Sequence, residues 1–232
     1  MKIHVVSSFL VLAFALSALT LTTAAEPSAP VAGWTDDFGS PTLDSRWFWV
    51  NEDPSHWSLT ARPGFMRITA QDGGQNLLLQ GAPAGDYVVE TRLLFEPTQN
   101  IQRAGLLLRK DGDNSLWLMR AFNVWGAGNG IYFDHIEAGQ PVGGNFGMTT
   151  AVTGEAYLRV VRLGNAYTGY VSEDGEHWTL VGTHVAGIGF VPTVVGLAAN
   201  YTPLGAGEIP ADFDYFALRE YSERVHLPFI SR

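Results

Sequence analysis

The chain has 232 residues, of which 46% are hydrophobic and 16% charged, so it has enough apolar side chains for a folded core and too little charge for a disordered chain. Its formal net charge of −9 argues against nucleic acid or an anionic membrane surface as a partner. The chain has no cysteine, which excludes zinc–cysteine sites, thiol catalysis and disulfides.

The first 25 residues have the pattern of a secretory signal peptide. Lys2 precedes an apolar stretch over residues 5–21, which small residues follow. Serines and threonines interrupt this stretch and no basic cluster follows it, which disfavours a membrane-spanning helix. We predict a signal peptide over 1–25, a single domain over 26–221 and a C-terminal tail over 222–232. The protein is then secreted or extracellular, with the cell surface as an alternative location.

Short β-rich runs recur along the chain after residue 26, where helical periodicity is hard to find. Turn residues bound each run, and pairs such as Asp174-Gly175 are typical of tight hairpins. Because parallel strands need long crossover connections, the pattern predicts an all-β, antiparallel sandwich or barrel. The predicted strands are 56–59, 65–70, 87–95, 104–109, 116–122, 131–136, 157–163, 167–171, 178–181, 194–199 and 213–221.

The usual catalytic motifs are missing from the sequence. There is no Gly-x-Ser-x-Gly, no His-Glu-x-x-His and no glycine-rich phosphate loop. Asp111 and Asp113 form a close carboxylate pair, but they lie in a predicted hairpin turn, which explains them without catalysis. A glycoside hydrolase or polysaccharide lyase on this fold is an alternative to a binding role. The candidates for its acid and base are Glu90, Asp134, Glu137 and His135.

Asp214 lies in the last predicted strand, where strict alternation places it on one face with Phe216 and Leu218, opposite Phe213, Tyr215 and Ala217. A carboxylate on an apolar face must be paired, hydrogen-bonded or bound to a metal. In an exported protein Ca²⁺ is a natural partner, and Asp36 or Asp37 could supply further ligands if the first and last strands are neighbours. Hydrogen bonds from backbone amides explain Asp214 equally well.

The tryptophans are candidates for binding a sugar, since the apolar faces of sugars pack on aromatic rings. Most of the tryptophans are expected in the core. Trp125, in a glycine-rich loop, is the candidate for an exposed platform, and Trp117 is a second candidate. Trp117 shares its strand face with Met119 and Ala121, opposite Arg120 and Phe122. The polar side chains that could complete a sugar site are Arg109, Arg120, Asn123, His135 and Asn200.

Several segments together resemble the concanavalin A-like sandwich domain found at the C-terminus of family 43 β-xylosidases and in related bacterial proteins of laminin-G-like fold. The resemblance covers roughly residues 34–218, and the order of the segments makes it specific. The segments are Asp36-Asp37-Phe38, Leu43-Asp44-Ser45-Arg46-Trp47, Gly64-Phe65-Met66-Arg67-Ile68, Arg103-Ala104-Gly105-Leu106-Leu107-Leu108-Arg109, Tyr157-Leu158-Arg159-Val160, 170–178 and Asp212-Phe213-Asp214-Tyr215-Phe216.

The resemblance implies a two-sheet antiparallel jelly roll with one concave face. It also implies that a structural Ca²⁺, which such domains often hold, is bound where an aspartate of the last strand meets the N-terminal strand. Asp214 matches that aspartate, with Asp37 or Asp36 as its N-terminal partner. In the xylosidases this module accompanies a separate enzyme domain, so the resemblance implies association with a glycan rather than hydrolysis.

The leading hypothesis from the sequence is therefore a secreted, non-catalytic carbohydrate-binding module whose partner is a polysaccharide or other glycan. The enzyme described above is the first alternative. A cell-surface module that recognises a protein is the second. The sequence does not indicate an oligomeric state.

Overall fold

The computed structural model describes residues 32–72, 75–123, 128–144, 146–148, 154–201 and 207–220. The predicted signal peptide over 1–25 and the tail over 222–232 lie outside these residues. Sixteen β-strands and no helix are found in the described part of the chain. No helix there is long and apolar enough to cross a membrane. The all-β prediction is therefore confirmed.

The strands follow one another with short connections, as in the predicted series of hairpins. They are β1 Ala32–Asp36, β2 Phe48–Val50, β3 Trp57–Ser58, β4 Met66–Asp72, β5 Leu77–Gly81, β6 Tyr87–Leu94, β7 Arg103–Asp111, β8 Asn114–Phe122, β9 Asn129–Glu137, β10 Gln140–Pro141, β11 Phe146–Met148, β12 Glu155–Leu163, β13 Ala166–Ser172, β14 Thr179–Val185, β15 Val194–Tyr201 and β16 Ile209–Glu220.

The strands form two sheets, which we name sheet I and sheet II. Sheet I runs in the order β14, β13, β12, β6 and β16, and β16 also pairs with β1 and with β4, which carries β3. Sheet II begins with β10 and β11 on β9 and continues through β8, β7, β15, β5 and β2. The pairings are antiparallel, except for a short parallel contact in which Asn200 and Tyr201 of β15 join Gln71 and Asp72 of β4.

The main core lies between the two sheets and is built from every second residue of most strands. Val89 and Leu93 of β6 face Leu106 and Leu108 of β7 across this core, and all four are buried. This alternation is the period that the sequence predicts for strands with one face in a core.

The last strand departs from the predicted alternation at Asp214. The register of β16 against β6 shifts between Phe213 and Tyr215, so that Asp214 is an extra residue in a β-bulge. Phe213 and Phe216 consequently both enter the core, while Tyr215 is half-buried. The expectation that Phe213 and Phe216 face opposite sides was wrong because it assumed an uninterrupted strand.

Candidate functional site

The face of sheet II that is turned away from the core carries a set of unusually buried apolar side chains. Leu79, Met119, Ala121 and Ala198 have no exposed surface, yet they belong to two clusters separate from the main core. Trp117 contacts both clusters and is only partly buried. The sheet therefore curls so that these side chains bury one another. Trp117 remains accessible on this face, as does Phe48 of β2, which pairs with Leu79 and is 44% exposed.

Two glycines allow the strands of this face to pack closely. A Cβ atom on Gly196 would lie 2.9 Å from the Cα atom of Leu79, and one on Gly105 would lie 2.8 Å from the Cα atom of Met119. Real Cβ atoms do not approach backbone this closely. Glycine is therefore required in the two strands, β15 and β7, that form the centre of the face.

Two charged side chains adjoin Trp117: Asp134 is its directly opposite neighbour in β9 and is buried, and Arg103 lies over the Trp117 ring. The guanidinium carbon of Arg103 lies 5.1 Å from the centre of the indole ring. The Nε of Arg103 donates a 2.6 Å hydrogen bond to Oδ1 of Asn200, which fixes the orientation of the guanidinium. Burial lowers the pKa of Arg103, and the charge of Asp134 partly offsets this effect. Trp117, Arg103 and Asn200 together form what we call the Trp117 surface.

Three of the predicted ligand-binding residues share this face of sheet II. Trp117 and Asn200 belong to the Trp117 surface, and Arg109 lies further along β7, six residues and three same-face rows from Arg103. The Nε of Arg109 donates to the carbonyl of Asp111 at 2.9 Å. Asn123 follows β8 and donates to the side chain of Asn100 at 2.9 Å. Trp125, the first candidate from the sequence, lies outside the described residues.

Two other predicted ligand-binding residues lie on the opposite face of sheet II, inside the sandwich. Arg120 is 2% exposed and its Nε donates to the carbonyl of Phe95 at 2.8 Å. His135 is also 2% exposed, and its ring lies 5.3 Å from that of His184. Burial lowers the pKa of both Arg120 and His135. These two side chains therefore belong to the interior, apart from the Trp117 surface.

The sequence analysis missed Arg103, although it is central to this surface. Its partner Asn200 is 97 residues further along the chain and becomes a neighbour only through the pairing of β7 with β15. The sequence did hold one signal: Arg103 is an even number of residues from Leu107 and from Arg109, so the three side chains share one face of a strand.

Of the four candidate acid and base residues of the enzyme alternative, His135 and Glu137 are in contact, with 3.1 Å between Nε2 and Oε1, whereas Glu90 and Asp134 lie elsewhere. Glu90 lies in β6 of sheet I on the face away from the core, whereas Glu137 lies in β9 of sheet II. Packed sheets stand about 10 Å apart, so these two carboxylates are too far separated for the roughly 5 to 9.5 Å spacings of glycosidase pairs. Asp134 and His135 are adjacent in β9 and therefore point to opposite faces.

Glu90 instead stands at the centre of a network on the outer face of sheet I. Its Oε2 accepts a hydrogen bond from Nε of Arg159 at 2.8 Å and forms an ion pair with Nη2 of Arg159 at 2.7 Å, and its Oε1 accepts a hydrogen bond from the Tyr215 hydroxyl at 2.6 Å. Arg219 lies 3.6 Å from the same carboxylate. The Arg159 guanidinium also lies 3.6 Å from the centre of the Trp178 ring. The groups of this network are bound to one another, which gives it a structural role.

The side chains predicted to bind calcium do not form a ligand set by themselves. Oδ2 of Asp214 accepts a hydrogen bond from Arg92 at 2.9 Å, and Oδ1 of Asp37 accepts one from the Gly39 amide at 3.0 Å. Asp36 is also engaged, because its Oδ2 accepts from Nε1 of Trp47 at 2.8 Å. In the described ranges no three His, Asp or Glu side chains converge as metal ligands. A calcium ion at this place would need backbone carbonyls as well.

Comparison with known proteins decides the family. The model of the beta xylosidase C-terminal concanavalin A-like domain matches residues 35–219. The chain belongs to this family. The predicted resemblance and the concanavalin A-like sandwich fold are thereby confirmed.

Individual relatives of the domain are longer proteins. A protein of Escherichia coli (strain K12) named as a beta-xylosidase is 29% identical over 216 residues, which cover 83% of this chain and 39% of the relative. The crystal structure of the GH43 protein BlXynB of Bacillus licheniformis is similar with a TM-score of 0.72 and 27% identity, over 81% of this chain and 39% of that one. The chain thus spans about two fifths of the length of these relatives.

A more distant neighbour shows how general the fold is. The beta-glucanase of Bacillus licheniformis aligns with a TM-score of 0.56 over 82% of this chain and 98% of its own, but with only 13% identity. This likeness concerns the fold alone.

Proposed function

We propose that this protein is a secreted module that binds carbohydrate without cleaving it, and that the Trp117 surface is its contact with the glycan. The observation that carries the proposal is an accessible tryptophan beside an oriented arginine, packed against clusters of buried apolar side chains. Ligand sites for small polar molecules combine an apolar wall with a few fixed polar groups, as this surface does.

The family supports this proposal. The chain matches the model of the C-terminal domain of beta-xylosidases, and a longer relative is named as a beta-xylosidase. The absence of a suitably spaced pair between Glu90 and Glu137 is consistent with binding. The proposal includes secretion directed by residues 1–25, which would bring such a module to polysaccharides outside the cell.

Binding to polysaccharides is the direct test. Residues 26–232 would be mixed with xylans, glucans, pectins and bacterial polysaccharides, and retention of protein and release of sugar ends would be measured in the same tubes. We expect retention without release. Release of sugar ends would overturn the non-catalytic role, and lack of retention by every polymer would contradict the proposal.

Two tryptophan variants locate the site. Trp117→Ala should weaken retention about fivefold or more, if the loss is like the roughly 1 to 3 kcal/mol that a base stacked on an aromatic side chain contributes. Trp178→Ala is the matched control, because Trp178 is also half-buried but lies on the outer face of sheet I against Arg159. Equal losses in the two variants, with melting temperatures close to that of the wild type, would argue against the Trp117 surface.

A further inference from the structure

We propose that the Trp117 surface recognises glycans that carry carboxylate groups, such as uronic acids, and that Arg103 is the residue that binds the carboxylate. This inference rests on the proposed function and adds the chemical class of the ligand. It follows from the hydrogen bonding of Arg103, from the charges around it and from its position beside Trp117.

The hydrogen-bond donors of Arg103 are mostly unused. A guanidinium has five N–H groups, and the Nε–H of Arg103 donates to Asn200. Its four Nη–H groups donate to none of the side chains or carbonyls in the described part of the chain. These donors form the planar edge that matches the two oxygens of a carboxylate.

Arg103 forms no direct ion pair. None of the ion pairs within 4 Å among the described residues includes it, and the carboxylate that acts on it is Asp134, opposite Trp117 in β9. The arginines of sheet I contrast with it. Arg67, Arg92 and Arg159 each contact a carboxylate at 2.6 to 2.8 Å. A partly buried charge that no carboxylate contacts directly is costly, and a carboxylate supplied by a ligand would compensate it.

The position of Arg103 next to Trp117 indicates that the carboxylate it binds belongs to a sugar residue. Because the guanidinium stands 5.1 Å from the centre of the Trp117 ring, a pyranose packed against the indole would hold a C6 carboxylate within reach of the Nη groups. The Asn200 hydrogen bond keeps the guanidinium from rotating away. Hydrophobic contact and bidentate hydrogen bonding would then act on adjacent parts of one sugar residue.

The net charge of −9 opposes the approach of a polyanion, but this repulsion acts over a limited range. At physiological ionic strength charges are screened within about 8 Å. The local groups therefore dominate once the polymer is in contact. Arg103 and Arg109 lie on this face together with one buried carboxylate, Asp134. The acidic balance of the whole chain does not exclude a carboxylated ligand.

The test compares each acidic polymer with its own neutral derivative. Glucuronoxylan and polygalacturonate would be used in native form and after reduction of their carboxylates to alcohols, and affinities would be measured by calorimetry or affinity electrophoresis. We expect the native form of at least one polymer to bind about tenfold or more tightly than its reduced form, the range for a charge-assisted hydrogen bond. Equal affinities would overturn this inference while leaving the proposed function intact, whereas no binding to any form would contradict both.

Variants assign the effect to Arg103. Arg103→Gln should abolish the preference for the native polymer and leave the affinity for the reduced polymer within about twofold. Arg109→Gln is the matched control, since it removes a charge from the same face at a side chain that donates to a carbonyl. A preference that survives in Arg103→Gln but disappears in Arg109→Gln would overturn the assignment. The comparison of native with reduced polymers on the wild-type protein does not depend on the folding of either variant.

Discussion

The Glu90 network offers a stringent test of how sheet I is stabilised. The Glu90 side chain is 8% exposed, and it accepts hydrogen bonds from Arg159 and Tyr215 at 2.8 and 2.6 Å and forms an ion pair with Arg159 at 2.7 Å. Glu90→Gln preserves the shape of the side chain and removes its charge. Each hydrogen bond to a charged group contributes about 1.5 to 3 kcal/mol, compared with about 1 kcal/mol for a neutral one. Arg159 and Arg219 are 27% and 40% exposed, so water would recover part of the loss.

We therefore expect Glu90→Gln to lower the free energy of unfolding by about 2 to 3 kcal/mol. For a domain of this size, that corresponds to a fall in melting temperature of roughly 5 to 10 °C. Urea unfolding followed by tryptophan fluorescence would measure it, with an unchanged denaturant slope showing that the comparison is valid. Tyr215 responds to the same network, because burial and its hydrogen bond to Glu90 raise the pKa of its hydroxyl.

The matched control for this prediction is Glu155→Gln. The Glu155 carboxylate pairs with Arg92 at 2.8 Å, but its side chain is 37% exposed, so its loss should cost less than about 1 kcal/mol. A double-mutant cycle of Glu90→Gln with Tyr215→Phe should show a coupling energy above about 0.5 kcal/mol. Equal losses in Glu90→Gln and Glu155→Gln would refute the reasoning from burial.

Three further predictions concern other parts of the fold. Burial lowers the pKa of His135 and of His184, so the unfolded chain takes up protons at a higher pH than the folded chain as the pH falls below about 6.5. The free energy of unfolding should therefore be highest above that pH and fall towards pH 5.5. Urea unfolding at each pH would measure it. Gly196→Ala should lower stability by about 1 to 3 kcal/mol, because its Cβ would meet backbone of β5, whereas Gly81→Ala, with open space around it, should change the unfolding midpoint by less than about 0.5 kcal/mol. If calcium binds near Asp214, the melting temperature should rise with millimolar Ca²⁺ relative to a chelator, and identical melting curves would remove the metal from the proposal.

Alternation of apolar residues predicted most of the strands, but it could not find those that are buried on both faces. Leu77, Leu78 and Leu79 of β5 are all inaccessible, so this strand has no polar face and no period of two. The bulge at Asp214 also left no local signal, because the register shift depends on how β16 pairs with β6. Such features are set by contacts between distant segments.

The candidate site was only partly predicted, and the reason is similar. Alternation correctly separated Trp117 from Arg120 within β8, yet both were retained as ligand-binding candidates because polar and aromatic residues were considered together. The buried partners of Arg120 and His135, the Phe95 carbonyl and the His184 ring, come from other elements. Sequence spacing gives the face of a side chain, but not whether the rest of the fold covers that face.

The two outer faces of the sandwich differ in how their arginines are satisfied, and this difference separates stability from binding. On sheet I, Glu90 and Arg159 satisfy each other, so Glu90→Gln should lower the melting temperature and leave polysaccharide affinity unchanged. On sheet II, Arg103 keeps four donors for a ligand, so Arg103→Gln should weaken binding to acidic polymers with little loss of stability. If Glu90→Gln instead weakened binding as much as Arg103→Gln, the glycan would have to contact sheet I as well. The assignment of one face to stability and the other to recognition would then be wrong.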